Sequence, residues 1–281
     1  MMRYAFRIVN VFAETLLAGN PLCVFEDARG LDDATLQALA LQFNLSETTF
    51  VLPSTTATAR VRIFTPTFEM PFAGHPTLGT AHVVRALTGA GDAITLEMLA
   101  GRIPVAAQGD RWTLEANAPK HRAPQAANAQ LAEMLGLTED DIGPGPPLWV
   151  DTGSDQLVIP LRSFDAVNRA APRVDKVAAY GSNDTRAMAY VFAREADHVL
   201  CRFFFPKQGA MIEDPGTGSA CANLGGWLLA TGAALPQRLT LDQGERVARP
   251  CRLGLEVTTD RRIRVSGRVM ELGRGSIDFP G

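Results

Sequence analysis

Apolar, β-branched and aromatic residues crowd Tyr4–Phe12, broken only by Arg7 and Asn10, and fill Leu22–Phe25, which predicts two strands joined through a turn at Ala18-Gly19-Asn20-Pro21. From Leu31 the period lengthens. Leu36, Leu39, Ala40 and Phe43 fall on one face, predicting a helix over 31–43 with Asp32 or Asp33 as its cap. Ser46–Leu52 turns extended, and Thr58–Phe64, Ile94–Met98, Arg102–Ala107 and Trp112–Ala116 alternate as strands. Helices separate these segments singly, but strands outnumber them, so a plain βαβ alternation fits poorly. The polar, proline-bearing stretch Ala118–Gln125 predicts a domain crossover, followed by a helix over Ala127–Leu135 that Gly136 stops. Beyond the stiff loop Gly143–Pro147, strand character resumes over Leu148–Pro160 and Ala187–Phe192. The tail is β-rich over Leu253–Val257, Ile263–Met270 and Gly275–Phe279, with tight turns between.

One pattern spans half the chain. Arg62-Ile-Phe-Thr-Pro66 recurs as Arg202-Phe-Phe-Phe-Pro206, and each copy is followed by a glycine that leads into a helix, from Gly74 in the first case and Gly216 in the second. A period near 140 residues is too long for a solenoid repeat and points to duplication of a whole domain.

Composition narrows the class. Of 281 residues, 46% are hydrophobic and 20% charged, an ordinary globular balance. With a net charge of −3 and no Lys/Arg-rich run, a nucleic-acid partner is not expected. Apolar stretches such as Gly225–Leu235 fall short of the roughly 18–20 residues of a membrane span. The N-terminus lacks the apolar core and cleavage site of a signal peptide. Cys23, Cys201, Cys221 and Cys251 lie far apart, without zinc spacing, and are expected as buried thiols of a cytoplasmic protein.

Candidate chemistry gathers near the two glycine-to-helix transitions. In Asp214-Pro-Gly-Thr-Gly-Ser219 the glycines let backbone approach a ligand, and the N–H groups that open the helix form an anion site, to which Thr217 and Ser219 add hydroxyls. A turn plus an N-cap would leave the same signature. No Walker lysine and no G-x-G-x-x-G after a strand is present, so no nucleotide cofactor is expected. His75, after Gly74, stands where a positive helix end would keep it neutral, as a donor or proton relay, or as a structural hydrogen-bonding group. His82 is expected to pack, and His121 and His198 to lie on loops at the surface. Glu47 follows a helix among apolar residues. Burial would raise its pKa toward general acid/base work, whereas a capping or surface glutamate would need no such role. Asp214 could cap the second helix or orient a substrate. Neither metal-ligand spacings nor a G-x-S-x-G elbow occurs, so no metal and no serine hydrolase is expected.

These residues resemble the phenazine-biosynthesis PhzF-like family over essentially the whole chain. The resemblance rests on Asn20–Phe25, Ser46–Val51, Arg62–Pro66, Pro71–Ala81, Asp214–Ala220 and Val265–Val269. It implies an α+β fold of the diaminopimelate-epimerase type, with two pseudo-symmetric domains, each a barrel-like sheet wrapped around a central helix. The implied halves are residues 1–118, joined by a terminal strand over 268–281, and residues 119–267, with the site where the helix N-termini face each other. A homodimer and catalysis without cofactor are implied too. In the best-understood member of the family the reaction is isomerisation of trans-2,3-dihydro-3-hydroxyanthranilate, and the resemblance implies that the glutamate that shuttles its proton is matched here by Glu47. His75, Asp214 and Ser219 match further site residues.

Racemases of this fold carry Cys-Gly at both helix starts, where this chain has Ala73-Gly74 and Pro215-Gly216, so thiolate racemisation is not expected. The working expectation is an isomerase in which a small anionic substrate binds at Gly74, Gly216, Thr217, Gly218 and Ser219, with Glu47, His75 and Asp214 catalytic. A cofactor-independent epimerase acting α to a carboxylate, or a non-catalytic ligand-binding protein, stand as alternatives.

Overall fold

Strand-period segments of the first part of the chain close on themselves around one buried helix. The computed structural model describes residues 2–279. The chain divides into two units after Glu115 and again after Val265, beside the expected 118/119 and 267/268. Of the expected segments 1–118 and 268–281, Met1, Pro280 and Gly281 lie outside the described residues.

The first unit contains β1 (Met2–Val11), β2 (Asn20–Phe25), α1 (Asp33–Phe43), β3 (Thr48–Leu52), β4 (Ala59–Phe64), β5 (Glu69–Met70), α2 (Gly74–Thr88), β6 (Ala93–Met98), β7 (Gly101–Gln108) and β8 (Arg111–Glu115). The second contains β9 (Lys120–Arg122), α3 (Asn128–Met134), β10 (Leu148–Asp151), β11 (Asp155–Pro160), α4 (Phe164–Arg169), α5 (Val174–Tyr180), β12 (Ala189–Glu195), β13 (His198–Lys207), β14 (Ala210–Asp214), α6 (Gly218–Ala230), β15 (Gln237–Gln243) and β16 (Cys251–Val257). β17 (Ile263–Phe279) starts in the second unit and continues in the first.

In the first unit β2 pairs antiparallel with β1 and parallel with β3, β3 antiparallel with β4, and β4 parallel with β6. β6, β7 and β8 follow as antiparallel neighbours, and β17, paired with both β8 and β1, closes an eight-strand barrel. The second unit repeats the sequence of pairings. β10–β11 is antiparallel, β11–β12 parallel, β12–β13 antiparallel, β13–β15 parallel and β15–β16 antiparallel. The fold is therefore α+β, with a barrel-like sheet and a central helix in each unit. α2 packs on β1, β2, β3, β4, β6, β7 and β8, and α6 on β9, β10, β11 and β16. Both helices are buried on nearly all sides, which their small and apolar residues permit: Gly79, Ala81, Val83 and Val84 in one, Ala220, Leu224, Gly225 and Leu228 in the other.

α1 forms as its pattern requires. Asp32 caps it by accepting from the Thr35 N–H at 2.8 Å, and Leu36, Leu39 and Ala40 pack on Phe25, Phe50 and Phe64 outside the barrel. Each fully buried side chain of this kind contributes about 1.5–3 kcal/mol. The bend before β2 needs Gly19, which sits at φ +84°.

Several expectations are corrected. Leu148–Pro160 is a hairpin, turned at Gly153 (φ +124°), rather than one strand. β9 lies inside the expected crossover and pairs with β10. The two tail strands are one strand, β17. Its Gly275 marks no turn: a Cβ there would meet the Phe6 ring at 2.5 Å, so the glycine makes room for the neighbouring strand's side chain. α6 begins at Gly218 with Thr217 as N-cap, two residues later than expected. His198 is on β13, not a loop, 2.7 Å from Asp242, and His121 is on β9. Among the described residues no helix is long and apolar enough to cross a membrane.

Candidate active site

Strand geometry explains why Glu47 meets a helix mouth. Side chains on a strand alternate, so residues two apart share a face. Thr49 points at α2, its hydroxyl 2.8 Å from that of Thr80. Glu47, two residues earlier, emerges on the same side but further toward the helix N-terminus, where its Oε2 lies 3.4 Å from His75 Nε2. The glutamate side chain is 15% exposed and the imidazole 7%. Glu47 is therefore neither a helix cap nor a surface residue.

His75 is the second residue of α2. Its ring donates to the Pro21 carbonyl, and Nδ1 lies 3.5 Å from the side-chain nitrogen of fully buried Asn20. Burial pushes the imidazole pKa down to about 3. The ring is thus neutral, as expected from the helix end, but desolvation is the leading cause. The contact with Glu47 is accordingly not an ion pair at neutral pH, despite its length. Ala73, the N-cap, offers no side-chain acceptor, so the opening N–H groups of α2 at Gly74 and His75 get neither an intrahelical partner nor a cap from that side chain.

The mouth of α6 is wired differently. Thr217 donates its hydroxyl to Asp214 Oδ2, and its N–H reaches Gln243 Oε1 at 3.2 Å. The other end of Gln243, which is buried, donates to the Asp214 carbonyl at 2.9 Å and to Thr217 Oγ1 at 3.0 Å. Asp214 accepts the Thr217 hydroxyl, a hydrogen bond that fixes its carboxylate. Thr217, expected to lend a hydroxyl and an N–H to an anion, has both committed inside the protein. The N–H groups of Gly218, Ser219 and Ala220 begin the helix and have no intrahelical acceptor. Ser219 Oγ receives a hydrogen bond from Gln156 Nε2 at 2.9 Å. Gly216 lies buried in the turn before the helix.

By helix start, Gly74 corresponds to Gly218 rather than to Gly216, and the residues before them are Ala73 and Thr217. Neither is a cysteine. All four cysteines are buried and free, and burial holds the Cys201 thiol up at about 12, far from a working thiolate. His82 packs near Trp112 and accepts its indole N–H at 3.3 Å. No group of three or more His, Cys, Asp or Glu side chains suited to a metal gathers among the described residues.

Asn20, Gln156, Asn223 and Gln243 were not singled out from the sequence as site residues. The available signal was a polar side chain inside an apolar run, as for Gln156 before Leu-Val-Ile and Asn223 between Ala222 and Leu224.

The sequence model of phenazine biosynthesis-like proteins matches residues 9–275. The chain belongs to that family. Among its relatives, an uncharacterised isomerase of Pasteurella multocida is 38% identical, over 99% of this chain and 95% of the relative. The trans-2,3-dihydro-3-hydroxyanthranilate isomerase of Pseudomonas aeruginosa is 35% identical, over 90% and 89%. A solved structure of a predicted epimerase from Pseudomonas aeruginosa superposes with a TM-score of 0.83 at 31% identity, covering 99% of this chain and all of the other. This phenazine biosynthesis-like protein is a PhzF-like isomerase.

Proposed function

We propose that the protein moves a proton between two carbons of a small carboxylate-bearing substrate, with Glu47 as the single acid/base. The substrate is trans-2,3-dihydro-3-hydroxyanthranilate, the compound named for the 35%-identical relative, or an analogue. One observation carries this reading: a carboxylate 15% exposed stands 3.4 Å from a buried neutral imidazole at an uncapped helix mouth.

Glu47 removes a proton from a carbon acidified by conjugation, and the electron pair shifts along the π-system. The same carboxyl then returns the proton to the far carbon, so no atoms are gained or lost. His75, neutral and held by the Pro21 carbonyl, orients the carboxyl and the substrate's polar substituent. Asp214, immobilised by Thr217, binds a substrate hydroxyl or amino group. The substrate carboxylate is received by the turn at Gly216 and Gly218 and by Ser219, and Gly74 is a further substrate-binding position. The proposal includes a cytoplasmic location, which four buried free thiols support, and a homodimer that acts without cofactor.

The test is turnover of trans-2,3-dihydro-3-hydroxyanthranilate in deuterated water, followed by proton NMR. Double-bond movement is expected, with deuterium at the carbon that receives the proton and loss of both on Glu47→Gln. Undiminished turnover by Glu47→Gln sinks the assignment. The 31% likeness to a predicted epimerase favours a second reading, epimerisation α to a carboxylate. Deuterium entering a stereocentre without double-bond movement would establish it instead.

A further inference from the structure

Two groups of fixed polarity set the direction of a hydrogen-bond chain that ends at Ser219. The Thr152 backbone N–H can only donate, and it reaches Asn223 Oδ1 at 2.9 Å; the Thr152 hydroxyl meets the same oxygen at 2.7 Å. The Ser154 carbonyl can only accept, and it lies 2.7 Å from Asn223 Nδ2. Together they leave Asn223 one orientation. Its Nδ2 therefore donates to Gln156 Oε1 at 2.8 Å, which turns Gln156 Nε2 toward Ser219 Oγ at 2.9 Å. Thr152, Gln156 and Asn223 are all buried, so water does not compete for these bonds.

Ser219 Oγ thus accepts from behind, and among the described residues its hydroxyl proton finds no acceptor. We infer that Asn223 and Gln156 are positioning residues that commit the Ser219 hydroxyl to donate outward, so that the α6 mouth accepts a carboxylate and discriminates against a donor group. This rests on the proposed binding of the substrate carboxylate by Ser219. It adds that the specificity of that hydroxyl is set by a buried amide pair: Gln156, 63 residues before Ser219 in the chain, and Asn223, which follows Ser219 on α6 and fixes Gln156 from there.

Gln156→Glu tests it with almost no change of shape. A carboxylate behind Ser219 accepts where the amide donated, and the serine proton turns inward. The probes are 3-hydroxyanthranilate, the stable aromatic counterpart of the proposed substrate, and 2-aminophenol, the same ring without the carboxylate. Dissociation constants are measured by calorimetric titration for the wild type, Ser219→Ala, Gln156→Glu and the double variant. A hydrogen bond to a charged acceptor is expected to be worth about tenfold in affinity. Ser219→Ala and Gln156→Glu should each weaken 3-hydroxyanthranilate by that factor and leave 2-aminophenol within about twofold. Gln156→Glu should add little once the hydroxyl is gone. Gln156→Met, which carries no buried charge, frees the hydroxyl to sample about three rotamers and should cost about threefold. It keeps the test intact if thermal melts show Gln156→Glu to be misfolded.

Equal losses from Gln156→Glu in both backgrounds reveal plain repulsion and overturn the relay. So does wild-type affinity in both Gln156 variants while Ser219→Ala weakens binding; the relay then falls and the carboxylate site stands. Unaltered binding by Ser219→Ala, or no binding of 3-hydroxyanthranilate by the wild type, overturns the carboxylate site and the relay together.

Discussion

The mouths of α2 and α6 are built on the same sequence of strand pairings, yet they carry opposite chemistry. At α2 the side chains are a carboxylate and a neutral imidazole in close approach. At α6 a carboxylate, Asp214, is tied to a hydroxyl, and hydroxyls and amides are matched to one another in place of an imidazole. The register makes the difference specific. Thr48 pairs with Phe64 and Ala189 with Phe204, the phenylalanines of the two Arg-x-Phe echoes, so Met188 holds the place of Glu47. A helix mouth supplies backbone donors wherever it occurs; the residue one step before the neighbouring strand is a carboxylate at one mouth and a thioether at the other, which is the difference the proposed proton transfer rests on.

The largest effect that could break this contrast is on turnover. Glu47→Gln should lower kcat by ~10²–10⁴-fold with little change in KM, whereas Met188→Leu in the other unit should leave both within about twofold. Comparable losses from the two would show that the units are not chemically distinct.

Next in size are the echoed arginines. Arg202 pairs with Glu213 across β13 and β14, at 2.7 Å, and also donates to the Val167 and Ala170 carbonyls. Arg62 pairs with Glu69 across β4 and β5 at 2.7 Å and with Asp33 at 2.6 Å. Both hold the hairpin that leads to a helix mouth, but Glu213 is 9% exposed and Asp33 84%. Removing Arg202 strands a buried carboxylate, whereas removing Arg62 leaves Asp33 exposed and Glu69 22% exposed. Urea unfolding should show Arg202→Met costing about 3–4 kcal/mol and Arg62→Met about 1–2 kcal/mol. A reversed order would deny that burial of the acidic partner sets the difference.

Smaller still is helix seating. A Cβ at Gly79 would meet Leu22 at 2.7 Å and Val11 at 2.9 Å; one at Gly226 would meet Val150 at 2.7 Å and Pro119 at 2.9 Å. Gly79→Ala and Gly226→Ala should each cost about 1–3 kcal/mol, read as a lowered denaturant midpoint. Wild-type stability in either would place that helix further from its wall.

Finally, His75 should make stability depend on pH. Its folded pKa, about 3, lies below that of the unfolded chain, so below pH 6.5 the unfolded state binds a proton that the fold excludes. The stabilisation is complete above pH 6.5 and is lost on acidification at about 1.4 kcal/mol per pH unit, or about 2 kcal/mol by pH 5. His75→Gln should remove that slope; an unchanged slope would mean the ring titrates normally.

Local order was legible where neighbours in sequence produce it. The α1 stripe and its Asp32 cap, the strands of the first unit, the two glycine-led helices and the placing of Glu47 beside His75 all answer to spacing, capping and family motif. The Arg62 and Arg202 echo marked the duplication correctly because both arginines brace equivalent hairpins. What spacing could not show was direction and partnership across the chain. The start of α6 moved to Gly218 because Gln243, 26 residues on from Thr217, holds the preceding turn. The need for a glycine at 275 was hidden because the Phe6 ring that excludes its Cβ comes from the far end of the chain.

From its order of residues alone this protein determined its strands, its duplicated helices and the carboxylate and imidazole it sets against each other. Only the folded barrels decided which hydroxyls were free. Thr217 and Ser219 are both small hydroxyl residues beside Gly218, yet one is consumed by Asp214 and Gln243 while the other is turned outward by Gln156 and Asn223. The reason is physical: a hydroxyl has one proton to give. Where that proton goes is set by buried partners that the fold, and not the local sequence, brings within hydrogen-bond reach.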